Sequence, residues 1–80
     1  MSNVHTTPWE IEKIIYVAKQ LAAEGCSSGS TGEVIAGAFA LDKMEFLPYG
    51  YSVIESWERL EPEWQGYVKE VRAKYMHRLV

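Results

Sequence analysis

Residues Val34-Ile35-Ala36-Gly37-Ala38-Phe39-Ala40-Leu41 form an unbroken run of eight apolar or glycine residues. No charge interrupts the run, and Ala36, Gly37, Ala38 and Ala40 are small. A segment apolar on every side cannot lie on a surface, so the rest of the 80-residue chain has to cover it. A run this short reads equally well as a buried strand or a buried helix. The helix is favoured because Ser30-Thr31-Gly32-Glu33, just before it, has the pattern of a capping box. Alanine is also the strongest helix former, and no second convincing strand exists to pair with. Gly37 costs such a helix about 1 kcal/mol relative to alanine. That cost makes sense where another helix crosses closely.

The flanking sequence repeats the helical signals. Thr7-Pro8-Trp9-Glu10 reads as a helix start, with Thr7 and Glu10 as a capping box and Pro8 at the first helical position. Ile11, Ile14, Ile15, Ala18, Leu21 and Ala22 then trace one stripe, and Gly25 is placed for a left-handed stop. Pro48 is expected to end the second helix. Ser52-Val53-Ile54-Glu55 is a third capping pattern, opening a short helix with Val53, Ile54, Trp57 and Leu60 on its apolar side. Pro62 starts the last helix, with Trp64, Tyr67, Val68, Val71, Tyr75 and Leu79 as its stripe. The expected fold is all-α: one compact four-helix domain with helices at about 8–24, 31–45, 53–60 and 62–79. Residues 1–6 read as a disordered tail and 25–30 as a flexible linker. A domain this small is marginally stable alone, so a homo-oligomer is one expected form.

Charge is unevenly spread. The net charge is −3. Residues 24–63 carry eight acids against the two bases Lys43 and Arg59, a balance of −6. Residues 69–80 carry Lys69, Arg72, Lys74 and Arg78 against Glu70, a balance of +3. Such runs ordinarily complement helix dipoles or solvate a face; a bipolar surface that steers a charged partner is the functional alternative. An acidic chain lacks the basic footprint of a general nucleic-acid binder.

Catalytic and cofactor chemistry is not legible. His5 lies in the expected tail and His77 among bases at a helix end, and neither adjoins a nucleophile. No metal-ligand spacing occurs among the histidines, the single Cys26 or the carboxylates. Gly25, Gly29 and Gly32 precede a helix, but the Lys-Ser/Thr ending of a phosphate loop is missing. One cysteine permits no intrachain disulfide and suits a reducing cytoplasm. The expectation is a protein that is not an enzyme, with no cofactor, no metal and no membrane span.

The interaction signal lies further on. Tyr49, Tyr51, Trp57, Trp64 and Tyr67 fall within nineteen residues. Tryptophan and tyrosine are frequent interface anchors, although Trp57 and Trp64 serve equally to pack the joint between the last two helices. Tyr49, Tyr51 and Trp57, with the neighbouring Glu55, Glu58 and Glu61, are the candidate protein-interaction residues. Two alternatives stand beside a protein-binding module. One is a helix-turn-helix regulator reading DNA with Ser52–Leu60, against which Glu55 and Glu58 would repel phosphate. The other is an acidic decoy for a nucleic-acid-binding complex such as a defence nuclease.

The runs Phe46-Leu47-Pro48-Tyr49-Gly50-Tyr51-Ser52, Ser56-Trp57-Glu58-Arg59-Leu60 and Glu63-Trp64-Gln65-Gly66-Tyr67-Val68 resemble small uncharacterised proteins carried by bacteriophages and prophages. The resemblance covers residues 46–76 and assigns no role to any residue. It implies a bacterial cytoplasmic setting and an accessory role, such as binding and modulating a host protein.

Overall fold

A computed structural model describes residues 7–79. It is all-helical over those residues: α1 (Trp9–Glu24), α2 (Thr31–Leu41), α3 (Val53–Arg59) and α4 (Pro62–Lys74), with single 3-10 turns at Met44–Phe46 and Met76–Arg78. The expected tail at 1–6 lies outside the described residues.

The apolar run is the helix around which the others assemble. α1, α3, α4 and the Met44–Phe46 turn all pack on α2, and α1 also packs on α4. Ile35, Ala36, Ala38 and Ala40 are buried, joined in the core by Ile11, Ile14, Ile15, Ala18, Val68 and Val71. Val17, absent from the expected stripe, is fully buried as well. α1 passes close to Gly37 of α2. A Cβ there would meet Val17 Cγ1 at 3.0 Å, the Ala18 backbone nitrogen at 3.2 Å and Leu21 Cδ1 at 3.2 Å. The glycine therefore sets how near α1 and α2 can lie.

Helix ends explain where the boundaries differ from expectation. The Ser30–Glu33 capping box forms, and Gly25 closes α1 at φ 77°. The expected Thr7–Glu10 box does not form. Pro8 itself is the cap residue, and its carbonyl accepts from the amides of Ile11 and Glu12. That moves the frame on by one residue, so Glu10 falls too early to close a box. α2 stops at Leu41, not at 45. Asp42 takes a left-handed conformation (φ 59°), its amide donates to Phe39 O, and the Lys43 amide donates to Ala38 O. These two bonds complete a Schellman stop, and aspartate is among the few residues other than glycine that visit this region. Pro48 therefore comes after the helix has already ended. Arg72 Nη1 on α4 donates to Ala40 O at 3.0 Å, satisfying another of α2's terminal carbonyls.

α4 likewise ends at Lys74 and not at 79. Tyr75 leaves the helical region (φ −123°, ψ 13°), and the 3-10 turn that follows brings Leu79 into the core. Arg78 then meets Glu12 on α1 through two hydrogen bonds, of 3.0 and 2.8 Å. The bonds to Arg78 hold the Glu12 carboxyl below the ordinary glutamate range. A depressed folded-state pKa stabilises the fold above the unfolded value, and that contribution is lost as pH falls through the folded one. The thermal midpoint of the wild-type protein is accordingly expected to fall on acidification more than that of Glu12→Gln, as read by circular dichroism across an acid series.

The 25–30 connection is a hydrogen-bonded turn. Ser27 Oγ donates to Gln20 Oε1 at 2.6 Å and accepts from the Gly29 amide at 3.1 Å.

Candidate interaction surface

The segment leading into α3 begins at Gly50, whose φ of 95° is open to glycine and strained for other residues. Two residues later the capping box of α3 closes: Glu55 N donates to Ser52 Oγ at 3.1 Å, and Ser52 N donates to Glu55 Oε1 at 3.0 Å. α3 is thus held at its start by local bonds. At its end, Gln65 Nε2 on α4 donates to Trp57 O at 2.8 Å.

The face that α3 turns inward corrects the expected one. Ser56 and Leu60 are buried, whereas Val53 and Ile54 are exposed. Leu60 and Ser56 lie about 40° apart round the helix, and Ile54 lies about 120° from Leu60. A seven-residue helix seated on Leu60 and Ser56 cannot also bury Ile54. Ser56 Oγ is buried without a hydrogen-bond partner. Ser56→Ala removes that orphaned hydroxyl and is expected to stabilise the fold by about 1 kcal/mol, measured by urea unfolding.

Four of the six residues 49–54 are large, apolar and in solvent: Tyr49 at 104% relative exposure, Ile54 at 70%, Val53 at 47% and Tyr51 at 39%. Arg59 covers one face of Tyr51, its Cζ 5.4 Å from the ring centroid. Sequence reasoning reaches Tyr49 and Tyr51 but assigns Val53 and Ile54 to the core. For Ile54 the missed signal is Ser56, four residues before Leu60 and so on the same side, opposite Ile54.

Trp57 belongs to the joint and not to this surface. It is half-buried, edge-on to Phe39 of α2 at 5.0 Å between centroids, with Lys69 Nζ 5.9 Å from its ring. Trp64 is half-buried between Trp9 (6.1 Å) and Tyr67 (6.3 Å), again edge-on. Trp9 is largely exposed and lies outside the aromatic cluster that the sequence singles out. Burial, followed by the carboxylates of Glu10, Glu63 and Glu70, pushes the Tyr67 hydroxyl above its ordinary range.

The acids divide by task. Glu55 closes the α3 cap yet remains exposed; Glu58 and Glu61 are exposed. Glu33 and Glu61, with Ser30, Gly32, Arg59, Leu60 and Trp64, line a recess of about 190 Å3 between the start of α2 and the α3–α4 corner. Drug-sized ligands occupy roughly 300–1,000 Å3, so this recess suits a single side chain. Two of the C-terminal bases bond within the domain, Arg72 of α4 to Ala40 O and Arg78 of the following turn to Glu12, whereas Lys69 and Lys74 are exposed, near the Trp57 ring and Glu70 respectively. Cys26 is exposed. Among the described residues no group of three or more histidine, cysteine or acidic side chains is arranged to hold a metal, and no helix is long and apolar enough to cross a membrane.

No family model, curated protein or solved structure matches the chain.

Proposed function

We propose that this is a small protein-binding module whose contact surface is Tyr49, Tyr51, Val53 and Ile54. The observation that carries the reading is the exposure of these four large apolar residues within six positions around the Ser52–Glu55 cap. Tyrosine and isoleucine on a pre-ordered turn lose little freedom on binding, which is what an efficient interface requires. In the setting implied by the resemblance to phage and prophage proteins, the partner is a bacterial host protein met in the cytoplasm, and the binding modulates it. Duplex DNA suits the same surface poorly, because α3 offers Glu55 and Glu58 outward, where they repel phosphate.

The test is affinity capture from bacterial lysate with mass spectrometry, with the mass of the free protein measured alongside. A specific partner is expected. No captured partner together with a strictly monomeric mass would overturn the proposal.

A further inference from the structure

The chemistry of the surround says what kind of partner the surface takes. Glu58 follows Ile54 by one helical turn and so lies beside it on the exposed side of α3. Glu55 directly follows Ile54 on the same helix, and Glu61 lies just past the end. All three are exposed. The base within the group, Arg59, leans on the Tyr51 ring. Arg59 also lines the recess, so the apolar surface and the recess adjoin through one residue. The recess is lined by the apolar Leu60 and Trp64 and by the acids Glu33 and Glu61, beside Arg59. A long basic side chain matches that construction: its methylenes lie on Leu60 and the indole, and its charge reaches the carboxylates.

We infer, resting on the proposed function above, that the partner presents a basic amphipathic segment. Its apolar side chains cover Tyr49, Tyr51, Val53 and Ile54, and its lysines or arginines face Glu55, Glu58 and Glu61, with one entering the recess. A second copy of this chain does not meet that description. A two-fold contact through the same surface would set Glu55, Glu58 and Glu61 of one copy against those of the other. A head-to-tail contact made through Arg72 or Arg78 would break the bonds those side chains form within the fold.

The probes are three synthetic peptides: one with leucine along one face and lysine along the other, its counterpart with glutamate for lysine, and a scrambled lysine sequence of equal charge. Each is titrated against the full-length protein by fluorescence anisotropy at low and high salt. The lysine peptide is expected to bind best, and to weaken as salt rises. Glu55→Gln/Glu58→Gln/Glu61→Gln, in which glutamine preserves the α3 cap, is expected to weaken it about tenfold at low salt and to erase the preference over the glutamate peptide. Tyr49→Ser/Ile54→Ser is expected to lose the lysine peptide and leave the triple-glutamine effect without a background to act on.

The outcomes separate the two readings. If both amphipathic peptides bind equally and the Tyr49/Ile54 variant loses both, the docking surface stands and the basic partner is wrong. If the scrambled peptide binds as well as the amphipathic one, and Tyr49→Ser/Ile54→Ser changes nothing, charge alone drives binding and both readings fail. If no peptide binds, or if sedimentation shows a dimer that Tyr49→Ser/Ile54→Ser dissolves, the inference is overturned.

Discussion

Replacing Gly37 with leucine is expected to leave the chain largely unfolded at room temperature. A Cβ alone would press on Val17 and Leu21 and stand 3.2 Å from the Ala18 backbone nitrogen. Side-chain tips can swing aside; the backbone of α1 moves only with the whole helix. Overpacking by a few methylenes costs about 1–3 kcal/mol where the core can adjust, and a leucine between two helix backbones exceeds that. A domain of this length has a total stability on the order of 5 kcal/mol. Gly37→Ala is a finer probe, because about 1 kcal/mol of helix propensity offsets part of its clash. Gly66, also helical but with nothing within 4 Å of where a Cβ would stand, is the control: Gly66→Ala is expected to stabilise by about 0.5–1 kcal/mol. Urea unfolding followed by circular dichroism reads all three. A Gly37→Leu protein with a wild-type unfolding curve would mean that α1 and α2 do not cross closely at this glycine.

The second large effect is on binding. Tyr49→Ala/Tyr51→Ala is expected to weaken partner capture at least thirtyfold, since an interface anchor is worth about 2 kcal/mol or more. The same pair is expected to shift folding stability by no more than about 1 kcal/mol. Tyr49 touches solvent on all sides, and Tyr51 gives up mainly its stacking on Arg59, worth about 0.5–1 kcal/mol at an exposed site. If the pair abolishes folding, these tyrosines are structural and the interface lies elsewhere.

Local signals are the legible part of the fold. Ser30, Ser52, Gly25 and Pro62 mark ends through bonds and backbone limits confined to a few neighbouring residues, and all four act as their residue types require. The central position of α2 is also readable, because an all-apolar helix has nowhere else to go. The ends of α2 and α4 are not. Asp42 is an ordinary polar residue until its backbone turns left-handed, and Tyr75 breaks α4 where Leu79 and Arg78 reach α1 from the turn beyond it. The α2 stop rests on local bonds that the residue type does not announce, and beyond the α4 stop the chain makes contacts distant in sequence. At the candidate site Tyr49 and Tyr51 can be found because bulky rings on a glycine turn are unusual. Val53 and Ile54 are hidden by the same logic that finds the other helices. In a helix of seven residues the apolar stripe is too short to define a face: the seat of Leu60 and Ser56 in the core turns Ile54 outward, and Val53, although on the Leu60 side, is left exposed at the first turn.

On the proposed reading, loss of the surface at residues 49–54 is expected to cost the domain little and the interaction much. The most direct measurement is parallel affinity capture with wild-type and Tyr49→Ala/Tyr51→Ala baits from the same bacterial lysate, each bait checked by thermal unfolding. The expected result is a partner retained by the wild type and lost by the variant, with the two unfolding midpoints within a few degrees. Equal capture by two equally stable baits would contradict the assignment of this surface.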